Sequence, residues 1–412
     1  MKKFLLTIIA LIPLSTSVMG QLVPITGNAS GDTLYFDVNR VWSYDRYQKS
    51  RWGAGLQYDI SLNSKHFTTL SIGAYGAYGY ADERLKGGGN ITLFGDSVSQ
   101  SKTYIEFIHD LTPDASRNLY NYQITDFMNT ANFWSERFSE SDRLSLGHGR
   151  RLSKRWSLGF EARWSSERRL YDAFDLIYPS NDSVRKALPK YNFLEGRITV
   201  GYKNAVTLQL TGGIVDSAQN AFVRLLAQYE KVVPMGFLNA ELFARAGVAS
   251  ENAPYSRLFD LGGNWGCPLL LGRSIMTARP VEFTASSFAM LNLRVITNPL
   301  FNFYNSEISI GSAPRPFVMF NAMWGHLWNQ YDNGRLLYDQ LPLQSPNKGL
   351  FEVGAGVEGI LLLGQIQWGA GVAYRLAPET SIYHNSNTSD NLTFVITATI
   401  NLDVDNLVNL NL

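Results

Sequence analysis

Five histidines (His66, His109, His148, His326 and His384) and a single cysteine, Cys267, are the obvious ligands and nucleophiles of this chain. They are scattered, and no His-Glu-x-x-His or related ligand spacing occurs. One cysteine excludes an intramolecular disulfide framework and any multi-cysteine metal site. Neither a metal nor a cofactor is expected. His148 and Ser157 could meet across a strand pair as a base and a nucleophile. No third group is placed to orient the imidazole, and His148 shares its register with Leu144 and Leu146. It reads as an interface-facing ring, so no catalytic residue is assigned.

Charges say more. Glu161, Arg163, Arg224, Glu230, Glu241, Arg245, Arg294, Glu352, Glu358 and Arg375 all fall on the polar register of alternating segments. Inside a wide barrel, such groups either pair across neighbouring strands and hydrate the interior or build a selective constriction. Both signs are present and the net charge is only +1, which favours pairing.

The elements that must carry these residues are strands. Trp156, Leu158, Phe160, Ala162 and Trp164 alternate with Ser157, Gly159, Glu161, Arg163 and Ser165. A strand turns successive side chains to opposite faces, so one face is apolar and the other wet. The same alternation recurs from Trp52 to Ile60, Leu70 to Tyr80, Ile198 to Leu210, Val223 to Tyr229 and Leu238 to Ala244. It continues in Ala289 to Val295, Phe351 to Val357, Ile366 to Tyr374 and Leu392 to Leu402. A soluble sandwich would also alternate, but with turns every 8–12 residues. Here short turns such as Lys203-Asn204 contrast with long polar connections at 171–192, 250–283 and 329–349. Short turns on one side and long loops on the other predict an all-β fold: a transmembrane antiparallel β-barrel of about 16 strands.

Charged residues make up only 17% of the chain, against about 25% in soluble domains. Near-neutral charge without a basic run excludes nucleic-acid binding. Lys2 and Lys3, the apolar run Phe4 to Leu14 and the small residues before Gln21 form a signal-peptide pattern with cleavage expected after Gly20. No later stretch approaches the ~18 apolar residues of a membrane helix. The expected organisation is therefore a signal peptide over 1–20, an N-terminal lead-in segment over 21–50 and an outer-membrane barrel over 51–412. Such a barrel meets outer-membrane lipids and leaves no room for a separate periplasmic domain.

The stretch Ala253 to Arg273 carries Phe259, Gly262 and Gly263, then Pro268 and Leu269. It resembles the sixth extracellular loop of BamA/TamA-type outer-membrane assembly barrels, the bacterial surface-antigen family. In that family a Phe-x-x-Gly-Gly motif precedes an Arg-Gly-aromatic tip. Here Pro268 and Leu269 stand at the tip. Val318 to Trp324, with Phe320 and Asn321 at its centre, looks like the family's thirteenth strand, Phe-x-Asp-x-Gly, with Asn321 replacing the Asp and Met323 the Gly. Five strands follow the loop, the family's number. The resemblance implies a loop that folds into the lumen and is normally locked there by an Arg–Asp pair. Loss of both partners predicts that this charge lock is absent and that Asn321 hydrogen-bonds the loop backbone instead. The family's POTRA domains have no counterpart, and the chain closes on a polar tail from Asp403 to Leu412. The resemblance implies a non-enzymatic membrane scaffold, or an assembly or translocation component with a periplasmic or outer-membrane protein partner. A diffusion pore with a charged lumen and a barrel hydrolase are the alternatives.

Overall fold

The computed structural model describes residues 17–18, 22–28, 31–37, 40–45, 49–62, 64, 66–96, 100–113, 137–171, 190–203, 205–261, 275–278, 283–301, 303–305, 310–328, 345–362, 366–377 and 391–400. The strands open with β1 (Ser17–Val18), β2 (Leu22–Gly27), β3 (Thr33–Asp37), β4 (Trp42–Asp45), β5 (Lys49–Ser61) and β6 (Phe67–Gly79). Next come β7 (Arg84–Gly95), β8 (Lys102–Pro113), β9 (Arg137–Arg151), β10 (Trp156–Tyr171), β11 (Lys190–Tyr202) and β12 (Val206–Val215). They continue with β13 (Ser217–Met235), β14 (Leu238–Ala249), β15 (Phe259–Asp260), β16 (Thr284–Ala285), β17 (Ser287–Thr297), β18 (Phe303–Asn305) and β19 (Ile310–Ser312). The series ends with β20 (Arg315–His326), β21 (Leu350–Leu362), β22 (Ile366–Ala377) and β23 (Leu392–Ile400).

Nineteen of these segments form one sheet; β15–β16 and β18–β19 form two small pairs. From β5 to β14 each strand pairs antiparallel with its successor. The meander then runs through β17, β20, β21, β22 and β23. At its far edge Ser17 and Val18 lie parallel to Thr399 and Ile400, a short step in sequence from β2 at the opposite edge. Ser17 and Val18 fall within the expected signal peptide.

The lead-in segment 21–50 carries β2, β3 and β4. Strand β2 pairs with β3, and β3 and β4 lie end to end along the same side of β5. A turn at Asn28–Asp32, with Gly31 at a φ of +86°, joins the first two. The interruption between Asp37 and Trp42 breaks the alternation that marks the other strands. That interrupted strand and the short β1 and β2 account for the excess over the expected 16.

Parity decides which side of the wall each residue faces. Trp52, Ile72, Leu146, Phe160, Leu194, Val223 and Phe394 are exposed on one face. Arg294, Glu352, Arg375, Asn292 and Asn321 are buried on the other. A flat sheet would expose both faces alike. Burying the polar face while baring the apolar one requires the sheet to curl around its charges, as in a lipid-facing barrel. The wall is far larger than any apolar patch tolerated in water. At the short-turn end, Trp156 and Tyr202 pack with ring centroids 4.6 Å apart, as an interfacial aromatic belt requires.

An Ile198→Arg substitution places a charge on the lipid face and should cost about 2–4 kcal/mol if it lies near the bilayer midplane. Gln209→Arg, next door on the inward register, should stay within about 0.5 kcal/mol. Reversible urea unfolding from lipid vesicles compares the two. Equal costs would mean that the faces are misassigned.

Candidate functional site

The segment after β14 does not stay outside the barrel. Ser250 accepts the backbone N–H of Ala253 at 3.0 Å, and Pro254 accepts that of Arg257 at 2.7 Å, forming a single 3-10 turn over Tyr255–Arg257. Strand β15 then pairs with β16, and the N–H of Leu261 reaches the carbonyl of Phe283 at 2.9 Å. The two ends of the segment are thus zipped together and laid against the inner wall.

Two glycines make the fit possible. A Cβ on Gly247 would lie 2.6 Å from ring atoms of Phe259 and of Phe288. One on Gly325 would lie 2.7 Å from Leu261. The wall is therefore notched where Phe259 and Leu261 of the loop seat. Phe259 and Phe288 pack with centroids 4.7 Å apart, and Arg224 of β13 covers Phe259 at 4.2 Å. Around them Phe193, Val215, Phe222, Leu226, Met290, Met323 and Leu350 supply an apolar inner wall.

The first clamp is ionic. Arg257 Nε and Nη2 donate to the Glu195 carboxylate, both at 2.8 Å. Its Nη1 and Nη2 donate to Glu167 at 2.9 and 2.8 Å. The guanidinium also stacks over Phe193 at 4.0 Å. Burial opposes its charge, but the two carboxylates more than offset that and raise its pKa above the ordinary arginine value. Two bidentate pairs on one guanidinium leave it almost no orientational freedom.

The second clamp holds backbone. Glu352 of β21 accepts the N–H of Met276 at 2.8 Å and of Thr277 at 2.9 Å. Arg375 of β22 donates to the Thr277 carbonyl and, at 3.3 Å, to its hydroxyl. A relay of amides backs Glu352: Arg245 donates to Asn292, Asn292 to Asn321 and Asn321 to Glu352, at 3.0, 2.9 and 2.7 Å.

The loop is nevertheless held by charge at another place: Arg257 pairs with Glu167 and Glu195, a set the sequence reading did not single out. Asn321 donates to Glu352 and so braces the carboxylate that holds the loop backbone. Phe259 is fully buried, whereas Phe320 sits half-buried on the outward register. Gly262, Gly263, Pro268, Leu269 and Arg273 lie outside the described residues. Of the inward charges, Glu161 binds Tyr104 at 2.7 Å and Arg163 at 2.6 Å. Arg294 bridges Glu241 and Glu358 at 2.8 and 2.7 Å. Glu230 is exposed near the β13–β14 turn. His148 is directly opposite Phe160, and Ser157 is three residues further along β10. An odd step puts them on opposite faces.

No protein-family model and no curated protein sequence matches the chain. Among solved structures it is similar to BamA from Haemophilus ducreyi lacking POTRA domains 1–3, at 10% identity and a TM-score of 0.49, over 94% of this chain and 76% of that one. It is also similar to CdiB from Escherichia coli, at 11% identity and a TM-score of 0.47, over 92% and 67%. For CdiB from Acinetobacter baumannii the values are 11%, 0.44, 92% and 64%, so this chain spans less than two thirds of that protein.

Arg257→Met would remove the cation that Glu167 and Glu195 share inside the barrel, a change that costs about 3–5 kcal/mol. That is roughly a 100-fold or larger gain in undocked loop. Ala253→Cys, buried in the docked loop and placed in a Cys267→Ser background, should then react with maleimide faster by a similar factor in the folded barrel. Gly247→Val, which evicts Phe259 from its notch, should act in the same direction. A labelling rate unchanged in both variants would mean that neither contact holds the loop.

Proposed function

We propose that this chain is an outer-membrane barrel acting as a non-enzymatic scaffold in protein assembly or translocation, with a periplasmic or outer-membrane protein partner. The outer-membrane placement is supported by the apolar outer wall and by the signal-peptide pattern that ends at Gly20. The observation that carries the functional reading is the attachment of one loop at two places on the inner wall. Arg257 ties it to β10 and β11, while Glu352 and Arg375 tie it to β21 and β22. Apolar packing fills the space between the loop and the wall.

A diffusion pore needs a permanent aqueous path, and a loop fastened in this way with an apolar seal works against one. The pair that a hydrolase reading would use, His148 and Ser157, is divided by the wall. An assembly or translocation barrel has use for a lumen that is shut at rest and for a loop that can be released when a client or partner arrives. The loop-in-lumen arrangement implied by the resemblance at Phe259 points the same way.

Purified protein in planar bilayers should show no steady large conductance. Arg257→Met combined with Arg375→Met should produce frequent opening events of the whole lumen. Stable, large conductance from the unaltered protein would overturn this reading in favour of the pore.

A further inference from the structure

On the outer wall, three small residues stand side by side on successive strands. Ala162 of β10 pairs with Gly196 of β11, and Gly196 with Gly212 of β12. All three face lipid, and a Cβ on Gly196 would meet nothing within 4 Å. They form the floor of a notch of about 630 Å³ whose sides are Leu146, Phe160, Ile198 and Leu210. His148 closes one end, with its Nδ1 held 2.8 Å from the Thr103 hydroxyl.

His148 also borders a second hollow of about 750 Å³ at the short-turn rim. That hollow arises because β8 stops pairing at Lys102 and Gly149 while β9 runs on to Arg151. Arg150, Arg151, Lys154 and His66 line it, facing one acid, Asp96. Arg151 is spent on the turn itself, donating to the carbonyls of Ser153 and Lys154 and to Gln100. The side chains of Arg150 and Lys154 have no partner among the described residues. A basic hollow beside an apolar notch, with His148 bordering both, has the outline of an amphiphile with an acidic head.

We infer that this groove binds an anionic phospholipid, its phosphate at Arg150 and Lys154 and one acyl chain over Ala162, Gly196 and Gly212. The inference rests on the membrane-barrel reading, which puts the short-turn rim in the periplasmic leaflet. Phosphate oxygens satisfy a guanidinium and an ammonium that have no partner among the described residues. The chain fills a depression that straight, disordered lipid tails would leave poorly packed.

The test uses the purified barrel in detergent with equal amounts of dioleoyl phosphatidylglycerol and dioleoyl phosphatidylcholine, with bound lipid read by native mass spectrometry. The anionic lipid should be retained in preference by about tenfold, as two interfacial cations allow. Arg150→Ala with Lys154→Ala should abolish the preference while leaving phosphatidylcholine retention as it was. Gly196→Leu, which fills the notch without striking the wall, should lower retention of both lipids at unchanged heat-modifiable mobility of the barrel. Equal retention of the two lipids by the unaltered protein, or retention indifferent to both variants, would overturn the site while leaving the barrel reading intact. Recovery of the native protein from a soluble fraction would remove both.

Discussion

A guanidinium shared by two carboxylates inside a barrel is stable only as a complete set. Arg257, Glu167 and Glu195 each leave water when the loop docks, and each is then left with partners that meet its hydrogen-bonding needs at 2.8–2.9 Å. Removing any one would strand buried charge, so the three behave as a unit. Much of the interior is arranged around that unit. The apolar inner wall from Phe193 to Met290 excludes the water that would weaken it, and the notches at Gly247 and Gly325 let the loop approach closely enough to form it.

This arrangement turns the usual economy of a soluble protein around. Lipid supplies the apolar surroundings, so the outer wall needs no covering and the core is free to be polar. Yet the interior is not uniformly wet. On the side facing the loop it carries Phe, Met, Leu and Val, whereas near β8 to β11 it carries Tyr104, Glu161, Arg163 and Arg197 in mutual contact. The lumen is divided into a dry, loop-packed part and a charged part.

Two-residue periodicity made the wall legible in the sequence. The inward placement of Glu241, Arg245, Arg294, Glu352 and Arg375 follows from parity alone, because one step along a strand reverses the face. The dry part was not legible. Phe222, Phe243, Met290 and Phe317 lie on the inward register, but an apolar residue inside and an apolar residue outside look alike in a string of letters. Glu167 and Glu195 share the parity of inward residues beyond the best alternating stretches, so parity could have flagged them. Arg257 had no such mark. It lies in a non-periodic segment, 90 residues from Glu167 and 62 from Glu195, and only the closed fold brings them together. The family resemblance drew attention to this loop but not to Arg257.

The two clamps also have a mechanical meaning. Strands β10 and β11 are separated from β21 and β22 by several intervening strands, so the loop is anchored at well-separated points of the circumference. A segment fixed at both ends in this way is a tie-rod. It resists ovalisation of the wall, and cutting it at either anchor would soften the cross-section as a whole. Release of the loop and deformability of the barrel are, on this geometry, one event.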